Sequence, residues 1–156
     1  MSSTGSSATP SLDVLRRHER HRVRGRPHSA YRDPCLETLE AIGRGEAAGG
    51  TSTAVLEEVW WIELSGKAGD LGGLAERAYA VFSPLLPVAG DAFRHALSLP
   101  ASGLGPMDRV HVGTCRAHGI EAVVSADTGF DGVRGLRRVD PRDDRARRRL
   151  LRLRPE

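Results

Sequence analysis

Four acidic side chains stand at the ends of structural elements or in early helical turns. Residues 107–131, MDRVHVGTCRAHGIEAVVSADTGFD, read as helix, turn, strand and acidic loop. Asp108 stands at the helix start, and Val110, Val112, Cys115 and Ala117 run apolar or small along its length. His118 and Gly119 end it, a cation near the last carbonyls and a residue free to turn left-handed. Residues 120–124 form an apolar run long enough for a buried strand and too short for a helix. Asp127 and Asp131 follow where that strand ends, the place where open α/β sheets gather ligands and chemistry. Glu58 is the fourth acid, on another capped helix. Carboxylates that converge from separate elements repel one another and stay ionised together only around a cation. Mg2+ prefers such oxygen ligands and keeps several waters. Held this way, a metal can orient a water and stabilise charge on a phosphodiester. Spacing alone leaves a plainer reading open, with Asp108 a helix cap and Glu58 a surface glutamate.

The elements that must position these acids follow from periodicity. Residues 33–42 read as a helix, with Asp33 as cap, Pro34 at the first helical position and Leu36, Leu39 and Ile42 in one stripe. Gly43 and Gly45 stop it, and GEAAGG (residues 45–50) is flexible. Thr51 or Ser52 caps a second helix over residues 53–64, whose buried face is Val55, Leu56, Val59 and Ile62. Leu74, Ala78 and Phe82 put a third helix over residues 74–82. Residues 85–88 can be a strand despite Pro87, and Asp91 caps a short helix through Leu97. Residues 136–139 alternate like an edge strand ended by Pro141. Short strands alternating with helical patterns argue an α/β fold with a largely parallel sheet.

Composition bounds the class. The chain of 156 residues suffices for one domain with one core, and 39% hydrophobic against 28% charged residues makes its middle globular. The formal charge is +3, with arginines crowded at residues 16–26 and 142–154 and most acids between them. Basic ends around an acidic centre suit a polyanion drawn toward a metal site; each tail by itself also reads as a solvated, poorly folded segment. Residues 1–27 are thus expected to be a disordered basic segment, 28–141 the domain, and 142–156 an arginine-rich tail, helical at most. Cys35 and Cys115 are too far apart in sequence to make a disulfide framework and read as reduced thiols of a cytoplasmic protein. The first residues have no basic stretch followed by an apolar core, so they do not read as a signal peptide. No apolar run approaches the roughly 20 residues that span a bilayer.

Several segments together resemble one family. Residues 51–59, TSTAVLEEV, look like the second motif of PIN domains, a Thr/Ser-capped helix with an acid near the end of its first two turns. Residues 107–131 look like the third and fourth motifs run together. Residues 28–46, HSAYRDPCLETLEAIGRGE, resemble the helix after the first motif in VapC-type toxins, and LRRVDP (residues 136–141) resembles their closing strand. No motif is specific alone; their order and spacing are. The resemblance implies a PIN-like three-layer α/β fold with a mostly parallel central sheet. It also implies a Mg2+-dependent endoribonuclease, with Mn2+ as an alternative ion, acting by in-line attack of a metal-activated water on RNA. Such toxins belong to type II toxin–antitoxin systems and have a cognate antitoxin as partner; a homodimer is compatible with the type. On this carry-over Glu58 matches the motif-two acid, Asp108 the motif-three acid and Asp127 the fourth. Asp131 is a weaker further ligand, because Gly129 falls where many relatives carry another acid.

One family feature is absent. PIN domains begin with a buried strand ending in Asp-Thr-Asn or similar, whose Asp is a principal metal ligand. Here Asp13 follows Leu12, but Val14, Leu15 and Arg16 then run into the arginine block, so the first strand reads as missing. Residues 17–25, RHERHRVRG, can be written CGA CAC GAA CGT CAT CGT GTA CGC GGT. Omitting the first base gives Asp-Thr-Asn-Val-Ile-Val-Tyr-Ala, the missing acid and its apolar run. The codons are chosen, so this is permitted by the sequence and decided by the genomic DNA. The resemblance therefore carries two functional expectations. One is a toxin ribonuclease inactivated where the first acid is lost; the other is a non-catalytic PIN remnant that binds RNA or an antitoxin. His111 and His118 are candidate general bases, with packing and helix-end roles as alternatives. Trp60 and Trp61 are candidate base-stacking residues, or core and interface.

Overall fold

The computed structural model describes residues 11–12, 30–66, 72–100 and 103–151. A parallel sheet of order β1-β2-β3 is built from Ser11–Leu12, Ala122–Val124 and Arg137–Val139. Ser11 pairs with Val123 and Leu12 with Val124, while residues 122–124 of β2 pair with residues 137–139 of β3. The helices are α1 (Arg32–Gly43), α2 (Thr53–Ser65), α3 (Leu74–Phe82), α4 (Gly90–Leu97), α5 (Pro106–Ala117) and α6 (Asp144–Leu151). Among the described residues no helix is long and apolar enough to cross a membrane.

The alternation of β2 divides the core. Ala122 and Val124 join Ile42 of α1, Ala78 and Phe82 of α3, Val139 of β3 and Leu150 of α6. Val123 lies in a second cluster with Val112 and Cys115 of α5, Ile120, Phe130 and Leu136. Successive side chains of a strand point to opposite faces, so helices cover both faces of the sheet. The result is the three-layer α/β arrangement with a parallel sheet that the sequence implied.

The first strand is the main point of difference. Periodicity gives no strand anywhere in residues 11–27, yet Ser11–Leu12 occupies the position beside β2. It is two residues long. Asp13 and the arginine block at residues 16–26 lie outside the described residues, as does the segment written above in the alternative frame. The strand expected at residues 85–88 reduces to one parallel bridge between Leu86 and Ser52. Leu86 donates to Thr51 O at 2.9 Å and accepts from Thr53 N at 3.0 Å. Pro87 has no N–H with which to extend the ladder.

Helix starts show where capping rules misplace a boundary. Ser52 caps α2 as expected, its Oγ accepting from Val55 N at 3.3 Å. Asp33 and Asp91 do not cap. α1 begins one residue before Asp33, after Tyr31, and α4 begins one residue before Asp91, after Ala89. Each Asp instead sits in the first turn, where its charge complements the helix dipole. α6 packs Leu150 into the first core cluster, and Arg147 beside it is 5% exposed. Arg147 reaches Glu37 Oε2 at 2.6 Å, Asp144 Oδ1 at 2.8 Å and Pro34 O at 3.2 Å, which ties α6 to α1.

Candidate functional site

Glu58 is carried by the buried stripe of α2. Ala54, Val55, Val59 and Ile62 are buried, and Glu58 shares their face at the i+3 and i+4 spacings. The stripe therefore draws a carboxylate toward the interior, and its side chain is 20% exposed. Its Oε1 lies 3.4 Å from Nε2 of His111 on α5, 53 positions away in sequence. His111 is 5% exposed.

Asp108 is the third residue of α5. Its Oδ2 accepts from the Gly105 N–H at 3.1 Å, so it closes the helix entrance from inside while staying 6% exposed. Asp108 and His111 are three apart and share a face. α5 is buried on several sides at once, and each side has its own partner. Val112 and Cys115 meet the sheet cluster. Gly113 meets α4, where a Cβ would overlap the Ala92 carbonyl oxygen. His111 meets Glu58 of α2. The helix thus carries a histidine to α2 and an acid at its own entrance.

Asp127 ends β2. Its Oδ1 accepts from Gly129 N at 2.8 Å, capping the 3-10 turn Thr128–Gly132. A Cβ built on Gly129 would stand 3.2 Å from Asp127 Oδ1 and 3.2 Å from Leu104 Cδ2. The Asp127 turn is thereby stacked on the loop that enters α5, one residue ahead of the Gly105 that Asp108 caps. Asp131 turns elsewhere. It is 53% exposed and takes Arg138 in a two-point pair, Nε to Oδ1 at 2.6 Å and Nη2 to Oδ2 at 3.2 Å. Nη1 of Arg138 also donates to Ser125 O at 2.9 Å. That pairing raises the Arg138 guanidinium above its ordinary value, first through the hydrogen bond that it donates to Asp131.

The structure thus joins α2 to α5 through Glu58 and His111, sets Asp127 beside the α5 entrance, and gives Asp131 to an ion pair with Arg138. Carboxylate oxygens from different elements match a hard cation in kind. In number they do not: among the described residues no three Asp, Glu, His or Cys side chains gather to hold an ion. Sequence reasoning weighed His111 only as a base or a packing residue. Its spacing of three from Asp108 was a visible signal, whereas its contact with Glu58 across the fold has no local one. Trp60 and Trp61 are both exposed, so neither is core.

A small parallel sheet with helices on both faces carries the acids described above. The chain matches the PIN domain family over residues 24–136 and belongs to it. The fold is therefore of the nuclease type. No curated protein matches the chain.

Proposed function

We propose that the protein is a toxin-type PIN endoribonuclease of a toxin–antitoxin pair, and that the chain as written holds its acidic site incompletely. Glu58, Asp108 and Asp127 are the acids that the sequence retains for a Mg2+ site, with Mn2+ as the alternative ion, although the described residues do not gather all three around one ion. Asp131 is the least suited of the four, because Arg138 already neutralises it. The observation that carries the reading is the contact of Glu58 on α2 with His111 on α5, the helix that also carries Asp108. Placing a glutamate on an apolar stripe and an aspartate in the first turn of a buried helix costs solvation that packing alone does not demand. RNA is the substrate class, and the exposed arginines of α6 add sequence-independent attraction for its backbone.

A second reading has its own support. Because the described residues bring no three metal donors together, the chain can be a non-catalytic member that binds RNA or an antitoxin and cuts neither. One comparison separates the two. The literal chain and a chain restored to the alternative frame over residues 17–25 are assayed for Mg2+-dependent cleavage of single-stranded RNA, each with and without Asp108→Asn. The asparagine oxygen still accepts from Gly105 N, so the helix entrance survives while the charge is removed. We expect weak or no cleavage from the literal chain, cleavage from the restored chain, and loss of it in restored Asp108→Asn. Equal activity of literal and restored chains refutes the incomplete-site reading. RNA binding without cleavage in every form, indifferent to Asp108→Asn, establishes the binding member instead.

A further inference from the structure

The contact between His111 and Glu58 is more than packing requires. The imidazole is almost fully buried, and only one of its nitrogens is used. Nε2 faces Glu58 Oε1 at 3.4 Å, while Nδ1 is buried with no hydrogen-bond partner among the described residues. A buried polar atom left in that state costs about 1–3 kcal/mol, and an apolar side chain of similar shape would fill the slot without the cost. A carboxylate oxygen only accepts, so Nε2 is the nitrogen that carries the hydrogen in this pair. Glu58 is a charged residue among the buried Ala54, Val55, Val59 and Ile62 of α2, and its side chain has three rotatable bonds beyond the backbone to fix. The ring is rigid and held on a helix whose neighbours Val110, Val112 and Thr114 are all buried.

We infer that His111 is the positioning residue of Glu58: its ring N–H fixes one carboxylate oxygen, which sets the direction of the other at the α2–α5 seam. His111 acts through Glu58 and touches no substrate. The inference rests on the acidic-site reading above for its purpose, but its geometry stands without it. A carboxylate aimed by a hydrogen-bonded neighbour loses less freedom when it meets a cation, which is how outer partners support metal-binding groups in general.

The experiment uses the full chain as written, with Glu58→Gln, His111→Gln and His111→Leu. The first readout is metal-free: the ring 15N signals of His111. We expect a proton on Nε2 and a clear change in its shift in Glu58→Gln. A proton confined to Nδ1, or a ring spectrum indifferent to Glu58→Gln, overturns the inference. The second readout is the rise in Tm on adding Mg2+ or Mn2+ alone. We expect the rise to be kept largely in His111→Gln, which still presents an N–H, and lost in His111→Leu to the same extent as in Glu58→Gln. A full rise in His111→Leu overturns the inference. If the unsubstituted chain gains nothing from either metal, the acidic-site reading fails, and the ring spectrum alone decides whether His111 positions Glu58.

Discussion

Gly113→Ala tests the packing that positions α5, which brings His111 to Glu58. α5 approaches α4 at this glycine, opposite Ala92 and Ala96, which are 0% and 4% exposed. An added Cβ would overlap the Ala92 carbonyl oxygen and stand 2.9 Å from Ala96 N and 3.1 Å from the Ala92 carbonyl carbon. Ordinary contact requires 3.5 Å or more, so the helices must part by about 1 Å. All three neighbours are backbone, and no rotamer change relieves them. Overpacking of this kind costs about 1–3 kcal/mol, with a rigid backbone clash at the upper end. Alanine returns about 1 kcal/mol through helix propensity. The net loss is about 2 kcal/mol, or roughly 4–8 °C in Tm for a domain of this size. Urea unfolding gives the assay: the midpoint falls while the slope stays, which separates lost stability from a changed unfolded state. Gly132→Ala is the control, because a Cβ there meets nothing within 4 Å. It is expected within about 0.5 kcal/mol of the unsubstituted chain. A Gly113→Ala protein as stable as the original would show that α4 and α5 do not approach this closely, and the site geometry built on α5 would go with it.

Two further measurements probe other parts of the fold. Glu63 at the end of α2 accepts from Ala75 N and Gly73 N at 2.8 Å each, and these backbone bonds hold its carboxyl below its ordinary value of 4.5. A depressed folded value means that its contribution to stability is full above the unfolded value and drains as pH falls through the folded one. Glu63→Gln should therefore flatten the acid side of a stability–pH profile below about pH 4.5, and an unchanged slope there would count against the capping contact. Burial pushes the Cys35 thiol up to about 12, and Cys115 is also buried. Both thiols should ignore a disulfide reagent at pH 8 in the folded protein and react once urea is added; rapid reaction of the native form would contradict their burial.

What the sequence made legible was what short-range pattern can carry. The register of Leu74, Ala78 and Phe82 gives α3 with both ends correct. Glu58 is singled out by the likeness of residues 51–59 to the second PIN motif, and Asp108 by its place at the start of a helix. The misses are long-range. Asp33 and Asp91 look like caps, but an acid in the first turn and an acid at the cap have nearly the same pattern. Asp131 looks like a ligand because nothing near it reveals that Arg138 on β3 will fold back to it. β1 escapes because two residues have no periodicity, and only the parallel partner β2 makes them a strand. The partnership of His111 with Glu58 requires knowing that α2 and α5 meet.

The anchoring of α6 has a consequence for the basic end of the chain. Leu150 and Arg147 seat the helix on α1, while Arg145, Arg148 and Arg149 remain at its surface. A charged segment seated in this way meets a polyanion as a rigid comb. Its teeth are spaced by the helical pitch, and the loss of chain freedom was already incurred when the domain folded.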